Sequence, residues 1–100
     1  MKMIIYCASW EKGEAKFDEI VNNIPQRVFN EYQIIKRKRG SQLIHSLSGC
    51  IWEVVYAYNG ARGNLWDECL VDEDISIGIF NQVILPAGRH STVENGVTFY

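Results

Sequence analysis

Hydrophobic and polar positions alternate over residues 50–59, a stretch without Gly or Pro that is rich in β-branched and aromatic side chains. Its even positions, from Cys50 through Trp52 to Tyr58, are all large or apolar, whereas its odd positions are mixed. Successive side chains of a strand point to opposite faces, so this pattern predicts a strand with one face on the core. We interpret residues 50–59 as the central strand of a sheet.

Residues 2–8 are apolar on both faces of a pleat, and this favours an interior strand that is covered from both sides. A suitable N-cap, Ser9, follows. Apolar side chains then recur at helical spacing, at Phe17, Ile20, Val21 and Ile24. The spacing predicts a helix from about residue 11 to 23. Pro25 interrupts it, and the continuing apolar stripe predicts a short second helix from about residue 26 to 32.

The rest of the chain favours strands joined by turns. Gly40 lies in a predicted hairpin turn, residues 59–64 form a loop that returns the chain antiparallel, and Asn95–Gly96 suits a type I′ hairpin turn. A helical stripe also fits residues 65–71, which we interpret as a strand. The predicted strands cover residues 33–39, 43–48, 65–71, 75–85, 91–94 and 97–100.

These elements predict an α+β fold, in which the N-terminal helical layer packs on a mainly antiparallel sheet of about 5–7 strands. The length of 100 residues is that of one domain, so we predict a single domain over residues 1–100. With 47% hydrophobic and 22% charged residues, the composition excludes a disordered chain.

No apolar run approaches the ~20 residues that cross a bilayer, and the first nine residues are too short an apolar block for a secretory signal. We therefore expect a cytoplasmic protein that does not bind membranes. The cysteines Cys7, Cys50 and Cys69 are odd in number, widely spaced and outside any CxxC motif. This spacing argues against a disulfide framework or a zinc site and favours three core residues. We expect no cofactor.

Charge is distributed unevenly between the two halves of the sequence. Residues 1–50 carry eight Lys/Arg and five Asp/Glu, a net charge of +3. Residues 51–100 carry two Arg and seven Asp/Glu, a net charge of −5. We therefore expect a polarised surface if the two halves do not interleave completely.

The acidic half contains five carboxylates within eight residues, beside a tryptophan and without an intervening Lys or Arg. Their spacing lacks the pattern of a calcium loop, so we expect no metal. Clustered negative charge steers a basic partner, such as a nuclease or another nucleic-acid-binding protein, and an exposed tryptophan would anchor it. A solvated loop is the alternative interpretation. The candidate partner-binding residues are Trp66, Asp67, Glu68, Asp72, Glu73 and Asp74.

A basic run beside the Gly40 turn is a candidate for binding phosphates. On a strand, however, alternate members of the run point to opposite faces, and a solvated edge protected against aggregation is the competing interpretation. His45 and His90 would supply an acid and a base for a metal-independent ribonuclease, although nothing in their spacing supports this. The candidate nucleic-acid-binding residues are Lys36, Arg37, Lys38, Arg39 and His45.

No catalytic motif is present, and the two candidate surfaces give two functional hypotheses. The first is a small protein-binding inhibitor that neutralises its partner by covering a working surface, as toxin-immunity proteins and phage anti-defence proteins do. The alternative is a small nucleic-acid-binding or metal-independent ribonuclease domain that uses the basic run. A third possibility is a subunit of a larger assembly, including a homodimer paired through an exposed edge strand.

Overall fold

The computed structural model describes residues 1–58, 65–88 and 96–100. Within these residues, six strands form one sheet in the order β2-β3-β4-β1-β5-β6. The strands are β1 (Lys2–Cys7), β2 (Tyr32–Ile35), β3 (Gln42–His45), β4 (Ile51–Tyr56), β5 (Glu68–Val71) and β6 (Val97–Phe99). The helices are α1 (Trp10–Asn22), a 3₁₀-helix (Gln26–Glu31), α2 (Ile77–Ile79), a π-helix (Phe80–Ile84) and a 3₁₀-helix (Leu85–Ala87).

The α+β fold class is confirmed, but the prediction of a mainly antiparallel sheet is wrong because the sheet is mixed. β1 pairs in parallel with both β4 and β5, and β5 pairs in parallel with β6. The antiparallel pairs are β2–β3 and β3–β4. Parallel neighbours need a crossover connection, and helical residues 77–87 lie between β5 and β6. The interpretation of residues 75–85 as a strand left no helical segment that could form this crossover.

The strand prediction for residues 75–85 is wrong because alternating isoleucines occur there within a helical segment. Ser76 caps its start, where Oγ accepts a hydrogen bond from the Ile79 amide at 3.3 Å. Phe80, Val83 and Ile84 then follow at i, i+3 and i+4, and all three are buried. The helical spacing of buried residues from Phe80 onward therefore determines the structure of this segment. Ile77, at the start of the segment, is 74% exposed.

Helix α1 begins as predicted, since Ser9 Oγ accepts a hydrogen bond from the Lys12 amide at 3.3 Å. The helix packs closely on β1 because Gly13 has no side chain. A Cβ at Gly13 would lie 2.6 Å from Cys7 Cβ, which is closer than van der Waals contact allows. The break near Pro25 and the short second helix are also confirmed, although that helix is 3₁₀ rather than α.

Each face of the sheet has its own core, and strand β1 contributes to both. Its odd positions pack with the side chains of α1, and its even positions pack with the helical segment after β5, which confirms that β1 is covered from both sides. The even face of β4 packs on the α1 side, as predicted. Buried residues on the α1 side are Ile5, Cys7, Phe17, Leu43 and Val54. The largest buried residues on the other side are Trp66, Tyr6, Phe80, Ile4 and Ile84.

Several other strand predictions are confirmed with altered limits. The β2–β3 hairpin is antiparallel, but β2 ends at Ile35, so the basic run lies beyond the strand. Residues 68–71 form β5 within the segment interpreted as a strand. Strand β6 is present near the predicted position, and it pairs in parallel with β5. The predicted loop at 59–64 and the predicted strand at 91–94 lie outside the described residues. The expected antiparallel return after β4 is wrong, because β4 and β5 both run parallel to β1.

The outer strands of the described sheet are β2 and β6. Homodimer pairing through one of these edge strands remains a prediction. Within the described parts of the chain, no helix is long and apolar enough to cross a membrane.

Candidate functional site

The parallel strands β1, β4, β5 and β6 all end at the same side of the sheet, which we call the carboxyl edge. The opposite side, where these strands begin, is the amino edge. In open sheets with parallel strands, ligands bind in the crevice outside the carboxyl ends of the strands. The carboxyl edge is therefore the first place to look for a site.

Three aromatic side chains lie in a row at the carboxyl edge. The ring of Trp10, in the first turn of α1, stacks on Tyr56 at the end of β4, with 5.7 Å between centroids and 25° between planes. Tyr58 lies 5.6 Å beyond Tyr56 and is 41% exposed. Because Trp10 and Tyr56 are only half-buried, the row presents aromatic surface to solvent.

The loop of residues 36–41, which carries the basic run, is fixed to α1 by the carboxylate of Glu14. This carboxylate accepts hydrogen bonds from the amides of Gly40 and Ser41, both at 3.1 Å, and from the Ser41 hydroxyl. It also pairs with Lys36 Nζ at 3.0 Å. Burial alone would raise the pKa of Glu14, but the hydrogen bonds from Ser41 and the ion pair with Lys36 lower it below its ordinary value.

Glu14 does not engage the other three cations of the loop. Lys36 is engaged by Glu14 and by Asp18, whose Oδ1 lies 2.9 Å from Nζ. Arg37, Lys38 and Arg39 are exposed and form no ion pair with the described residues. Because β2 ends at Ile35, these residues are not in a strand, and the objection that a strand would point their side chains to opposite faces does not apply.

An open cleft of about 650 Å³ joins the basic loop to the aromatic row. Arg39 lines this cleft together with Trp10, Tyr56 and the β1–α1 connection at Ala8 and Ser9. The volume is within the range that holds small-molecule ligands or one nucleotide. The cleft thus combines a permanent cation with two aromatic rings.

A buried carboxylate, Asp72, supports the carboxyl edge from inside. It is 1% exposed, and its oxygens accept hydrogen bonds from the amides of Ala8 and Asp74 and from Lys12 Nζ at 2.6 Å. Burial would raise the pKa of Asp72, but these partners lower it instead. Asp72 therefore holds the end of β5 against the end of β1 and the start of α1, and it is not available to a partner.

The prediction that Trp66 is exposed is wrong. Trp66 is fully buried, and its Nε1 donates a hydrogen bond to the carbonyl oxygen of Ile84 at 2.8 Å. Its ring packs on Gly88, where an added Cβ would lie 2.5 Å from the ring. The carboxylates that flank Trp66 in the sequence do not indicate its environment, because neighbouring residues of an extended segment face opposite sides.

The acidic group does not form one surface, because its members lie at opposite ends of β5. Asp67 and Glu68 lie at the amino edge, where Asp67 Oδ2 accepts a hydrogen bond from the Lys2 amide at 2.7 Å. Asp72 to Asp74 follow β5 at the carboxyl edge. Of the six candidate partner-binding residues, the structure leaves Glu68, Glu73 and Asp74 exposed.

The basic loop and His45 are also separated, although the sequence analysis grouped them. His45 pairs with Tyr32 at the open end of the β2–β3 hairpin, and Gln42 pairs with Ile35 at the end next to the loop. The two ends are three residue steps apart along β3, a distance of about 10 Å. His90, the other member of the predicted histidine pair, lies outside the described residues.

The sequence analysis missed the aromatic row and the role of Glu14. Tyr56 and Tyr58 were assigned to a core face, and Trp10 was not placed near them. A parallel β1–β4 pair brings the end of β4 next to the start of α1, so the missing signal was strand direction rather than residue type. In the sequence, Glu14 is one of several acidic residues of the predicted helix, and only the fold brings Ser41 to it.

Thiol and metal chemistry have little support at these positions. Burial raises the pKa of Cys7 and of Cys69 to about 12, so neither thiol ionises near neutral pH. Among the described residues, no group of three His, Cys, Asp or Glu side chains is placed to hold a metal ion.

Comparison with known proteins gives no further guidance: no protein-family model, curated protein or solved structure matches this chain.

Proposed function

We propose that this protein binds single-stranded nucleic acid at the carboxyl edge, with bases stacking on the aromatic row and phosphates contacting the basic loop. The observation that carries the proposal is the cleft in which Arg39 lies beside the stacked pair of Trp10 and Tyr56. Proteins that bind single strands combine these two features, a positive groove along the backbone and aromatic side chains on which bases stack.

Single strands fit this site better than duplexes. The aromatic rings can stack only on bases that are unpaired and turned outward. Trp10, Tyr56 and Arg39 line the same cleft, so a base stacked on either ring has a cation within that cleft for its phosphate. Each stacked base contributes about 1–3 kcal/mol to binding, largely without regard to sequence. We therefore expect binding with little sequence preference.

The electrostatic contribution comes from the three loop cations. Glu14 holds the loop without neutralising Arg37, Lys38 or Arg39, because its charge is matched by Lys36. If the three cations each replace one counterion, the logarithm of the binding constant falls with the logarithm of salt concentration with a slope of about −2. The net charge of the chain is −2, so the attraction is local to this edge.

The experiment is fluorescence anisotropy of a labelled single-stranded oligonucleotide of about eight nucleotides, with RNA and DNA versions, at low and rising salt. We expect saturable binding with the parent protein. Trp10→Ala should weaken binding at all salt concentrations, whereas reversal of Arg37, Lys38 and Arg39 to Glu should remove both the binding and its salt dependence.

A matched control uses Arg27, an exposed cation in the 3₁₀-helix after α1, away from the basic loop. Arg27→Glu changes the net charge in the same direction but leaves the cleft intact, so it should bind nearly as the parent does. Failure of the folded parent to bind either oligonucleotide at low salt would remove this proposal. An equal effect of Arg27→Glu and Arg39→Glu would show that binding is non-specific.

A second candidate function is the protein-binding inhibitor predicted from the acidic half of the sequence. A surface that shares only Glu73 and Asp74 with the predicted one favours it, because exposed Phe99 lies beside exposed Glu73 at the ends of β6 and β5. The Phe99 ring contacts Phe80 at 5.6 Å, and the Glu73 amide donates to the Tyr100 carbonyl, so these residues are neighbours. Apolar side chains rimmed by carboxylates suit a basic protein partner.

The test of this second candidate is capture of binding proteins from the native host or its competitor, followed by binding kinetics. A captured protein supports the proposal only if Phe99→Ala speeds its dissociation and reversal of Glu73 and Asp74 slows its association. Glu68→Lys, at the amino edge, is the charge control. Unchanged rates with both sets of variants would exclude this surface.

We also propose that the protein acts in the cytoplasm. The support is indirect, since all three cysteines are free and Cys7 and Cys69 are buried, as expected where thiols stay reduced.

A further inference from the structure

Three polar side chains form a chain of hydrogen bonds at the amino edge, in the turn between β3 and β4. Ser48 Oγ lies 2.7 Å from His45 Nδ1, and His45 Nε2 lies 3.0 Å from Glu31 Oε1. The Cys50 amide donates to Ser48 Oγ at 3.2 Å. None of these contacts belongs to the cleft at the carboxyl edge, so they need a separate explanation.

The donors and acceptors in this chain determine which tautomer a neutral His45 adopts. An ionised Glu31 carboxylate only accepts hydrogen bonds, so His45 Nε2 carries the proton that joins them. In the neutral imidazole, Nδ1 then has a lone pair and accepts the Ser48 hydroxyl proton. Ser48 therefore faces a base, and the base is oriented by a carboxylate, which is the relationship found around activated nucleophiles.

The surrounding structure holds His45 in place. Its ring packs on Tyr32 with 4.6 Å between centroids. The backbone of His45 pairs with Cys50 at 2.9 Å, and Glu31 is tied to the same turn because its carbonyl accepts from the Ser46 amide at 2.9 Å. The base and its carboxylate are thus positioned by paired backbone rather than by flexible side chains alone.

Ser48 itself is accessible. It is exposed in the turn, and the next residue, Gly49, has φ of +74° with no atom within 4 Å of where a Cβ would be. The preceding residue, Leu47, is 78% exposed, so the turn presents an apolar side chain to solvent. A small substrate with an apolar group can therefore approach Oγ without displacing protein atoms.

We propose that Ser48, His45 and Glu31 form a second functional site, in which Ser48 is a nucleophile toward small carboxylic esters. Ser48 Oγ bonds to the carbonyl carbon as its proton passes to His45 Nδ1. The bond to the leaving alcohol then breaks, and the alcohol takes that proton. Water repeats the sequence on the acylated serine, releases the carboxylic acid and restores the Ser48 hydroxyl.

The test is covalent labelling with a fluorophosphonate, in which an Oγ–P bond replaces the P–F bond of the probe, followed by intact-mass measurement and peptide mapping. We expect one adduct, on Ser48. Hydrolysis of 4-nitrophenyl acetate, followed by release of nitrophenolate, is the parallel activity measurement. Ser48→Ala should abolish the adduct, and His45→Phe, which keeps an aromatic ring against Tyr32, should slow labelling about 100-fold or more.

Ser46→Ala is the matched control, because Ser46 is an exposed serine in the same turn and its side chain contacts neither His45 nor Glu31. It should label as the parent does. If His45→Phe does not fold, Glu31→Gln gives the answer, since it keeps the shape but removes the charge that stabilises an imidazolium, and it should slow labelling. A folded parent that gives no adduct on Ser48, or a labelling rate unchanged by His45→Phe or Glu31→Gln, would show that these contacts only stabilise the turn.

Discussion

Glu14 on α1 accepts hydrogen bonds from both the backbone amide and the hydroxyl of Ser41, a residue 27 positions later in the sequence. Ser41 is fully buried, and its Oγ also accepts from the Arg37 amide at 2.8 Å. One carboxylate therefore links helix α1 to the loop that carries the exposed cations. The shape of the basic loop depends on this link more than on the sequence of the loop itself.

Glu14→Gln should weaken this link and lower both stability and binding. The amide oxygen of Gln can still accept from the amides of Gly40 and Ser41, which both donate to Oε2, but its NH₂ group cannot accept from the Ser41 hydroxyl or pair with Lys36 as Oε1 does. We expect a loss of about 1–3 kcal/mol in the free energy of unfolding, the range for disrupted buried hydrogen bonds. Chemical denaturation measures the stability, and anisotropy measures oligonucleotide binding. Asp18→Asn is the control, since Asp18 contacts Lys36 but not the loop backbone; equal losses in both variants would contradict the account.

The lowered pKa values of Glu14 and Asp72 make stability fall in acid. In the unfolded chain these groups have ordinary values of 4.5 and 3.8, so below about these values the unfolded state binds more protons than the folded state. Stability is therefore fully present above the unfolded pKa values and is lost as pH falls through the lower folded values. Denaturant titrations at pH steps from 7 to 3 should show this, with a shallower fall in Glu14→Gln. Identical pH dependence in the parent and the variant would contradict it.

Gly13→Ala should destabilise the protein because the new methyl group meets Cys7. The Cβ would lie 2.6 Å from Cys7 Cβ, so α1 must move away from β1, at a cost of about 1–3 kcal/mol. Gly78→Ala is the matched control, since nothing lies within 4 Å of a Cβ there. It should be neutral or slightly stabilising in its helix. Equal denaturation midpoints for the two variants would show that α1 does not pack closely on β1.

Trp66→Ala and Trp10→Ala should separate folding from binding. Trp66 is fully buried and should cost about 3–5 kcal/mol of stability on truncation. Trp10 is half-buried at the cleft, so its truncation should cost less stability and more oligonucleotide affinity. Midpoints and affinities of the two variants, measured together, check this. A Trp66→Ala midpoint within error of the parent would contradict the core described above.

Local signals in the sequence predicted the elements whose structure depends on local chemistry. The continuous apolar run of residues 2–8 indicated an interior strand, and Ser9 indicated the start of α1, because burial on two faces and an N-cap leave direct traces in the sequence. The direction of a strand within the sheet has no comparable local signal in the sequence. The isoleucines of residues 75–79 alternate as in a strand, and the helix is recognised only if Phe80, Val83 and Ile84 are read as one face.

The candidate site depends on contacts between distant parts of the chain, and the sequence did not predict these contacts. The basic run was identified from the sequence. The exposed loop that it forms was not, because Glu14 and Ser41, which hold this loop, approach each other only in the folded chain. The acidic group was identified as well, but β5 places its members at both edges of the sheet, and Trp66 turns to the core. Parallel pairing of β1 with β4 is the single fact that brings Trp10 next to Tyr56.

The most direct test of nucleic-acid binding at the carboxyl edge is a chemical-shift titration of the ¹⁵N-labelled parent protein with a single-stranded oligonucleotide at low salt. We expect the shifts to change at the Trp10 indole, at the amides of residues 37–41 and at the amides of residues 56–58, with little change at residues 46–49 of the amino edge. An absence of changes at low salt, or changes centred on the amino edge, would contradict the proposed site.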